Sequence, residues 1–155
     1  MVCDTGPLIA LTLLERFDLL TTRYRPLVPW AVWEEWSQGR QRGVMEKLPP
    51  EYEVVVHPTG SASLMPGLGL GESEVIRTAV EKGISLVLMD EKRGRQKARK
   101  DYGLVPLGTA GLLVQAKQRG EIRDLGEAFD ILQKKSYWIG PEVVDWALKA
   151  AGESK

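Results

Sequence analysis

The stretch LVLMDEKRGRQ, residues 86–96, joins four apolar residues to an acid and then to a run of positive charge. A short continuous apolar run is typical of a strand that is buried on both faces, as the strands of parallel sheets are. An acid at the end of such a strand, here Asp90, is costly unless it is paired or bound to a cation. The stretch therefore predicts a parallel sheet with a polar site at the end of one strand.

Short apolar segments alternate with helix-like segments along the rest of the chain. Strands are predicted at 2–3, 26–29, 52–57, 85–89 and 104–107, and helices at 7–15, 30–40, 71–82, 92–101, 109–119, 124–134 and 141–150. Strand followed by helix, repeated, predicts an α/β fold with a central parallel sheet of about four to five strands and helices on both faces. The segment 26–29 begins and ends with proline, which suits only an edge strand or the end of a strand.

The composition limits the class of protein. A chain of 155 residues with 43% hydrophobic content predicts a single domain over residues 1–155, in which the Gly/Pro/Ser-rich segment 58–71 is a surface loop. No apolar run approaches the ~20 residues of a membrane span and the N-terminus lacks the pattern of a signal peptide, so we expect a cytoplasmic protein without membrane association. One cysteine, Cys3, and one histidine, His57, exclude a Cys/His zinc cluster and are both expected to be structural.

The formal net charge also carries information. The 21 basic and 21 acidic residues cancel. The whole-molecule field therefore gives no general attraction to nucleic acid, and any such attraction has to be local.

Acidic residues recur at the carboxyl ends of strands and at the starts of helices, the edge at which open α/β sheets bind ligands. The candidates are Asp4, Asp90, one of Glu34 and Glu35, and one of Glu72 and Glu74. About four carboxylates at one edge repel one another unless a cation lies among them. Oxygen ligands without histidine favour Mg²⁺ or Mn²⁺, so the sequence predicts a carboxylate-held divalent ion.

Each acid also has a structural explanation. Asp4 could cap the helix that follows it, with Pro7 at the first helical position. Glu72 and Glu74 stand in the first turn of a helix, where the helix dipole favours an anion. Glu34 and Glu35 could form a solvated helix face. The metal site is favoured because all four acids coincide at one edge of the sheet.

Four segments of the chain together resemble the PIN-domain proteins. They are VCDTGPLIAL (2–11), PWAVWEEW (29–36), the long stretch from GLGLGESE to GTAGLL (67–113) and AKQRGEI (116–122). The resemblance covers most of the chain and is to the VapC-like toxin branch, whose motifs run D-T-S-P-L early and D-D-x-x-x-R late. It implies a PIN-like three-layer fold and cleavage of RNA by three or four acids that bind Mg²⁺ or Mn²⁺.

The resemblance narrows the choice of acids. The family places a helix-start acid eighteen residues before the last acid, which favours Glu72 over Glu74, since position 90 carries that last acid. It places the acid of the second helix before an apolar residue, which favours Glu35 over Glu34. The implied catalytic and metal-binding residues are Asp4, Glu35, Glu72 and Asp90.

Two positions depart from the family pattern. Gly6 stands where the family often has a serine, so the hydroxyl group that would orient water or phosphate is absent there and Thr5 is left to bind the substrate in its place. Glu91 stands where this branch often has a second aspartate. Neither departure removes one of the four acids.

The basic run that follows Asp90 predicts a local site for phosphate. On a helix, Lys92, Arg95 and Arg99 fall near one face and could hold the backbone phosphates of RNA, with Arg95 as the main contact. The alternative is a solvated helix face. Thr109 follows the last strand at the same edge, where its hydroxyl could approach phosphate or cap the next helix.

The leading hypothesis is a metal-dependent endoribonuclease, the toxin of a toxin-antitoxin pair, whose partners are RNA, a cognate antitoxin protein and a second copy of the chain. The alternative is a catalytically weak PIN-like module that binds RNA or protein without cutting. A homodimer is expected from the family's behaviour and from five tryptophans, more than a small core readily hides. They are Trp30, Trp33, Trp36, Trp138 and Trp146.

Overall fold

The computed structural model describes residues 1–40, 47–56 and 64–153. Its elements are β1 (Val2–Cys3), α1 (Thr5–Leu14), α2 (Asp18–Thr21), β2 (Leu27–Pro29), α3 (Trp30–Arg40), β3 (Glu53–Val55), α4 (Leu70–Lys82), β4 (Leu86–Leu88), α5 (Lys92–Tyr102), β5 (Val105–Leu107), α6 (Thr109–Gln118), α7 (Leu125–Lys134) and α8 (Pro141–Ala150). The five strands form one parallel sheet in the order β3-β2-β1-β4-β5. The α/β fold with a parallel sheet is confirmed.

The two central strands set the position of the acids. β1 pairs with β4 so that Cys3 lies opposite Leu88, and both residues are fully buried. The Asp4 backbone N–H donates to the Leu88 carbonyl at 2.8 Å, which carries the pairing one residue further. Because the strands are parallel neighbours, Asp4 and Asp90 leave the sheet side by side at its carboxyl edge.

Segment 26–29 is not an edge strand, and of the two positions expected for its prolines the end of a strand is the correct one. β2 lies inside the sheet, between β1 and β3. The Leu27 N–H donates to the Met1 carbonyl at 2.9 Å, and the Pro26 carbonyl accepts from Glu53 N–H at 3.0 Å. The prolines stand at the two ends of a strand of three residues, where the missing N–H groups interrupt little of the ladder.

Helix α1 begins earlier than the sequence indicates. Its first residue is Thr5, so Pro7 occupies the third helical position and not the first. The first N–H groups of a helix have no intrahelical partner, and a proline is therefore tolerated there. The short helix α2 was not predicted from the sequence.

Trp36 fixes α3 against α1. Its side chain is fully buried, and its indole Nε1–H donates to the Thr12 hydroxyl at 3.1 Å. The neighbouring residue Glu35 is thereby held at a defined position on the exposed side of α3.

Some sequence predictions fall outside the described residues. The predicted structural role of His57, at the end of the predicted strand 52–57, cannot be compared for this reason, and neither can the first part of the predicted loop 58–71. Within the described ranges, no helix is both long enough and apolar enough to cross a membrane.

Candidate active site

One open cleft of about 1140 Å³ lies at the carboxyl edge of the sheet. Four acids from separate parts of the fold line this cleft: Asp4 after β1, Glu35 on α3, Glu72 in the first turn of α4 and Asp90 after β4. The structure thus brings together the four acids that the resemblance selected.

The two alternative glutamates lie outside the lining of the cleft. Glu34 is exposed on α3. Glu74 is buried in α4 and forms an ion pair with Arg77, three residues further along the same helix. Of the two candidate pairs, only Glu35 and Glu72 therefore line the cleft.

Asp4 is both a helix cap and a member of the acidic cluster. Its Oδ1 accepts a hydrogen bond from the Thr5 N–H at 2.8 Å, so the structural explanation of this residue is also correct. Burial, together with the charges of Glu72, Glu35 and Asp90, raises the pKa of Asp4 to about 7 against the opposing hydrogen bond from the Thr5 N–H. A carboxyl group that is buried beside three other acids holds its proton more readily than one in water.

Glu35 is held from two sides. Its Oε2 accepts a hydrogen bond from the Thr5 hydroxyl at 2.6 Å, so Thr5 orients this acid. A Cβ at Gly71 would lie 2.8 Å from Glu35 Oε1, so a side chain there would force this carboxylate to shift. The glycine at the start of α4 therefore lets the carboxylate reach the cleft.

Glu72 has a similar relation to the start of α5. A Cβ at Gly94 would lie 2.8 Å from Glu72 Oε2. The pKa of Glu72 is raised by partial burial and then by the charges of Glu91 and Glu35. Glu91 also lines the cleft, as the residue that precedes α5.

Three hydrogen bonds fix Asp90. Its Oδ1 accepts from the Thr109 N–H at 2.7 Å, and its Oδ2 accepts from the Thr109 hydroxyl at 2.7 Å and from the Tyr137 hydroxyl at 2.6 Å. Asp90 thereby joins β4 to the start of α6 and to the loop before α8, and its pairing explains how the strand can end on an acid.

The structure changes the interpretation of Thr109. Its hydroxyl donates a hydrogen bond to Asp90 and the residue is almost fully buried, so Thr109 orients Asp90, and its contact with phosphate stays a prediction. It does not cap α6 either, because Gly108 occupies the N-cap position.

Tyr137 is the site residue that sequence reasoning missed. Two residues after the end of α7, Ser136 adopts the left-handed conformation (φ 63°). The Tyr137 N–H then donates back to the Leu132 carbonyl at 2.9 Å. This Schellman-type ending fixes the direction of the chain and aims the tyrosine at Asp90. Glycine usually signals such an ending, and serine at this position gave no signal.

Gly6 lies beside this tyrosine, and a Cβ there would make only ordinary van der Waals contacts. A Cβ at position 6 would lie 3.5 Å from the Tyr137 hydroxyl oxygen and 3.6 Å from Asp90 Oδ2. Burial and the charge of Asp90 raise the pKa of the Tyr137 hydroxyl, which therefore keeps its proton and remains a donor.

The basic side chains predicted to contact substrate lie along the same cleft. Lys92, Arg95 and Arg99 all line it, as the helical spacing predicts. Arg95 and Asp90 both approach Gly108, since a Cβ there would lie 3.0 Å from Arg95 Nη1 and 3.2 Å from Asp90 Oδ1.

The cleft has more negative than positive charge. Its carboxylates are Asp4, Glu35, Glu72, Asp90, Glu91 and Glu142, and its basic groups are Lys92, Arg95 and Arg99. Six acids against three bases give a formal charge of −3, so a phosphate chain would be repelled without added cations.

The donor set fits a divalent ion of the Mg²⁺ type. Within the described residues, no three acidic, histidine or cysteine side chains are already arranged as a metal cage. Mg²⁺ does not need such a cage, since it usually keeps several waters and binds one or two carboxylates together with substrate phosphate. The raised pKa of Asp4 and the surplus of acids fit a cation at the floor of the cleft.

The parallel sheet and the acids at its carboxyl edge define the class as an α/β fold with an acidic cleft at the strand ends. The family model DUF3368, a PIN domain, matches residues 1–153. The chain belongs to the PIN-domain family, as the sequence predicts. PIN domains are typically nucleases and generally use divalent metal ions. No curated protein and no solved structure matches the chain significantly.

Proposed function

We propose that this PIN-domain protein is a metal-dependent endoribonuclease and that Asp4, Glu35, Glu72 and Asp90 hold the divalent ion, Mg²⁺ or Mn²⁺. The observation that carries the proposal is that these four carboxylates, contributed by separate elements, line one cleft beside three basic side chains. Substrate phosphates would replace water around the ion and complete its coordination.

The chemistry that such an ion supplies when bound is positive charge on the phosphate oxygens and a more acidic attacking water. The residues of the chain supply the geometry. Thr5 keeps Glu35 in place, and Thr109 with Tyr137 keeps Asp90 in place. Arg95, which approaches Gly108 as Asp90 does, is suited to hold the phosphate that is cut, and Lys92 and Arg99 are suited to hold the neighbouring phosphates along the strand.

The test is incubation of the purified protein with a mixed RNA pool, with Mg²⁺, with Mn²⁺ and with chelator. We expect cleavage with at least one of the two ions and none with chelator. Glu35→Gln should abolish cleavage, whereas Glu34→Gln, a change of the same kind at the adjacent exposed position, should not. Asp4→Asn and Asp90→Asn should abolish it with the fold intact, which circular dichroism checks. Equal activity of the two glutamine variants would overturn the assignment of Glu35.

The finer role, the toxin of a toxin-antitoxin pair, rests on the likeness of the sequence motifs to the VapC-like branch. Expression of the wild-type chain in a bacterial host should then arrest growth, and expression of Asp4→Asn should not. Normal growth with abundant, folded and active wild-type protein would contradict the toxin role and leave the nuclease activity intact.

A binding module that does not cut is the second candidate. It is favoured by the hydrogen bonding of Asp90, since both of its carboxylate oxygens already accept bonds from protein donors. The same RNA assay separates the two candidates, because RNA that is bound but uncut with both ions supports the binding module.

A further inference from the structure

We propose that Trp138 and Trp146 form a stacking surface for the unpaired bases of single-stranded RNA, a proposal that rests on the proposed function of the cleft. The surface also contains Val143. All three side chains line the cleft that holds the four acids. The bases of the RNA would lie on this surface while its phosphates pass along α5.

The exposure of these side chains is the first reason. Trp138 is 78% exposed and Trp146 is 53% exposed. Val143 stands three residues before Trp146 on α8, on the same side of the helix. Large apolar groups that are left in water beside a polar site mark a surface that another molecule covers.

The second reason is the fixed backbone that carries the two tryptophans. The preceding residue, Tyr137, is held by its N–H bond to Leu132 and by its hydroxyl bond to Asp90. Ala147 and Leu148 on α8 are buried, so Trp146 is carried by a helix that is packed on the core. Because the backbone that carries both rings is fixed, a stacking base has to order only the two side chains.

The charges of the cleft decide which molecule fits. A second copy of the chain would have to bury six carboxylates and three basic groups, and the centres of protein interfaces are depleted of charge. A single nucleic acid strand fits the aromatic rings, the basic groups and the acids of the cleft together. Its bases stack on the rings and its phosphates pair with Lys92, Arg95 and Arg99, while bound cations offset the charge of the acids. The cleft volume of about 1140 Å³ also exceeds the ~300–1,000 Å³ of small-molecule pockets, as a polymer site requires.

The test compares two probes that share a sugar-phosphate backbone. One is a fluorescently labelled 12-nucleotide single-stranded RNA of mixed sequence, and the other is an abasic strand of equal length. Both are titrated into the full chain with Ca²⁺ in place of Mg²⁺ to suppress cutting. We expect the wild type to prefer the strand that carries bases.

The paired variant Trp138→Ala/Trp146→Ala should lose that preference. Its affinity for the RNA should fall by roughly 5- to 150-fold for each base that loses its stacking partner, and its affinity for the abasic strand should not change. Trp138→Phe/Trp146→Phe should keep most of the preference, because a phenyl ring still stacks. Trp30→Ala removes an exposed tryptophan outside the lining of the cleft and should change neither affinity.

Two results would overturn the proposal. One is an unchanged ratio of the two affinities in the double alanine variant. The other is a wild-type dimer that becomes a monomer in that variant with unchanged RNA affinity, which would make the surface an interface between copies. If the double alanine variant does not fold, the phenylalanine pair decides, since loss of preference there would contradict stacking. The assay does not depend on cleavage, so a chain that stacks RNA without cutting it would refute the nuclease and not the stacking surface.

Discussion

Asp4 combines burial with the nearby negative charge of three other acids, and its pKa of about 7 follows from that position. Because this pKa lies above the ordinary value of 3.8, the native state keeps a proton between about pH 4 and pH 7 that the unfolded chain releases. The free energy of unfolding of the metal-free protein should therefore fall as the pH rises through this window, by up to about 4 kcal/mol from this group.

Asp4→Asn should remove this part of the pH dependence. We expect the variant, in chelator at pH 8, to have a larger free energy of unfolding than the wild type and to gain less stability when Mg²⁺ is added. Urea denaturation at a series of pH values measures both effects, and Glu34→Gln serves as the control. Parallel pH profiles for the wild type and Asp4→Asn would show that Asp4 does not titrate in this window.

Tyr137 acts on the site through Asp90. Tyr137→Phe keeps the ring and removes the hydroxyl that donates to Asp90 Oδ2. Groups that orient a metal ligand typically contribute 10- to 100-fold in metal affinity, so we expect the variant to bind Mn²⁺ about tenfold more weakly. Calorimetric titration with Mn²⁺ measures the change.

Tyr24→Phe is the matched control for this experiment. The Tyr24 hydroxyl donates to Gln115 at 3.4 Å, and neither residue lines the cleft. Its removal should leave the Mn²⁺ affinity at the wild-type value. If Tyr137→Phe folds and binds Mn²⁺ as the wild type does, Thr109 alone is enough to orient Asp90.

Helix α5 carries basic residues on two different surfaces. Lys92, Arg95 and Arg99 line the cleft, whereas Arg93, Lys97 and Lys100 line a separate surface depression. Each set contributes three positive charges on the same helix, so the two sets provide a matched comparison. If phosphates follow the cleft, only the first set contributes direct contacts.

Changing the cleft set to glutamine should weaken RNA binding by one to a few orders of magnitude and lower the slope of log K against log salt by about 0.7 for each lost phosphate contact. The same change in the other set should lower the affinity only slightly, through net charge. Both triple variants are measured with Ca²⁺ over a range of salt concentrations. Equal losses in the two variants would mean that α5 acts by charge alone and that the substrate path lies elsewhere.

At the level of elements, most of the fold could be predicted because each signal was local. The apolar run before Asp90 and the regular alternation of strand and helix need no knowledge of distant residues. The interior position of β2 could not be predicted, because the order of strands depends on which neighbours the folded chain brings together. The two prolines suggested an edge strand or the end of a strand. They stand at the ends of β2, which is too short for them to interrupt many of the hydrogen bonds between strands.

The same distinction applies to the cleft. The strand ends and helix starts identified four acids and the basic face of α5, since topology places those positions at one edge of the sheet. Tyr137 reaches Asp90 from 47 positions away. Only tertiary packing of the loop before α8 makes that contact, and no spacing in the sequence reveals it.

For the whole molecule, the five tryptophans no longer form one group. Trp36 belongs to the core, and Trp138 and Trp146 line the cleft. Trp30 remains 42% exposed at the start of α3, where its ring stacks on that of Trp33 at a centroid distance of 4.8 Å. This stacked pair is the part of the tryptophan surface that is left to explain a homodimer.

We therefore expect the protein to form a homodimer through the face of α3 that carries Trp30. Aromatic residues are enriched at the centres of protein interfaces, and a stable interface covers about 800 Å² of each partner, an area within reach of one helix and its neighbours. Light scattering at tens of micromolar, about the concentration at which a stable dimer is fully formed, should give twice the mass of the chain. Trp30→Ala should shift the mass toward that of one chain, and Trp138→Ala should not, because that ring lies in the cleft. A wild-type protein that is a uniform monomer would contradict the predicted homodimer. A dimer that only Trp138→Ala dissociates would have its interface over the cleft, where it would block the path of the RNA.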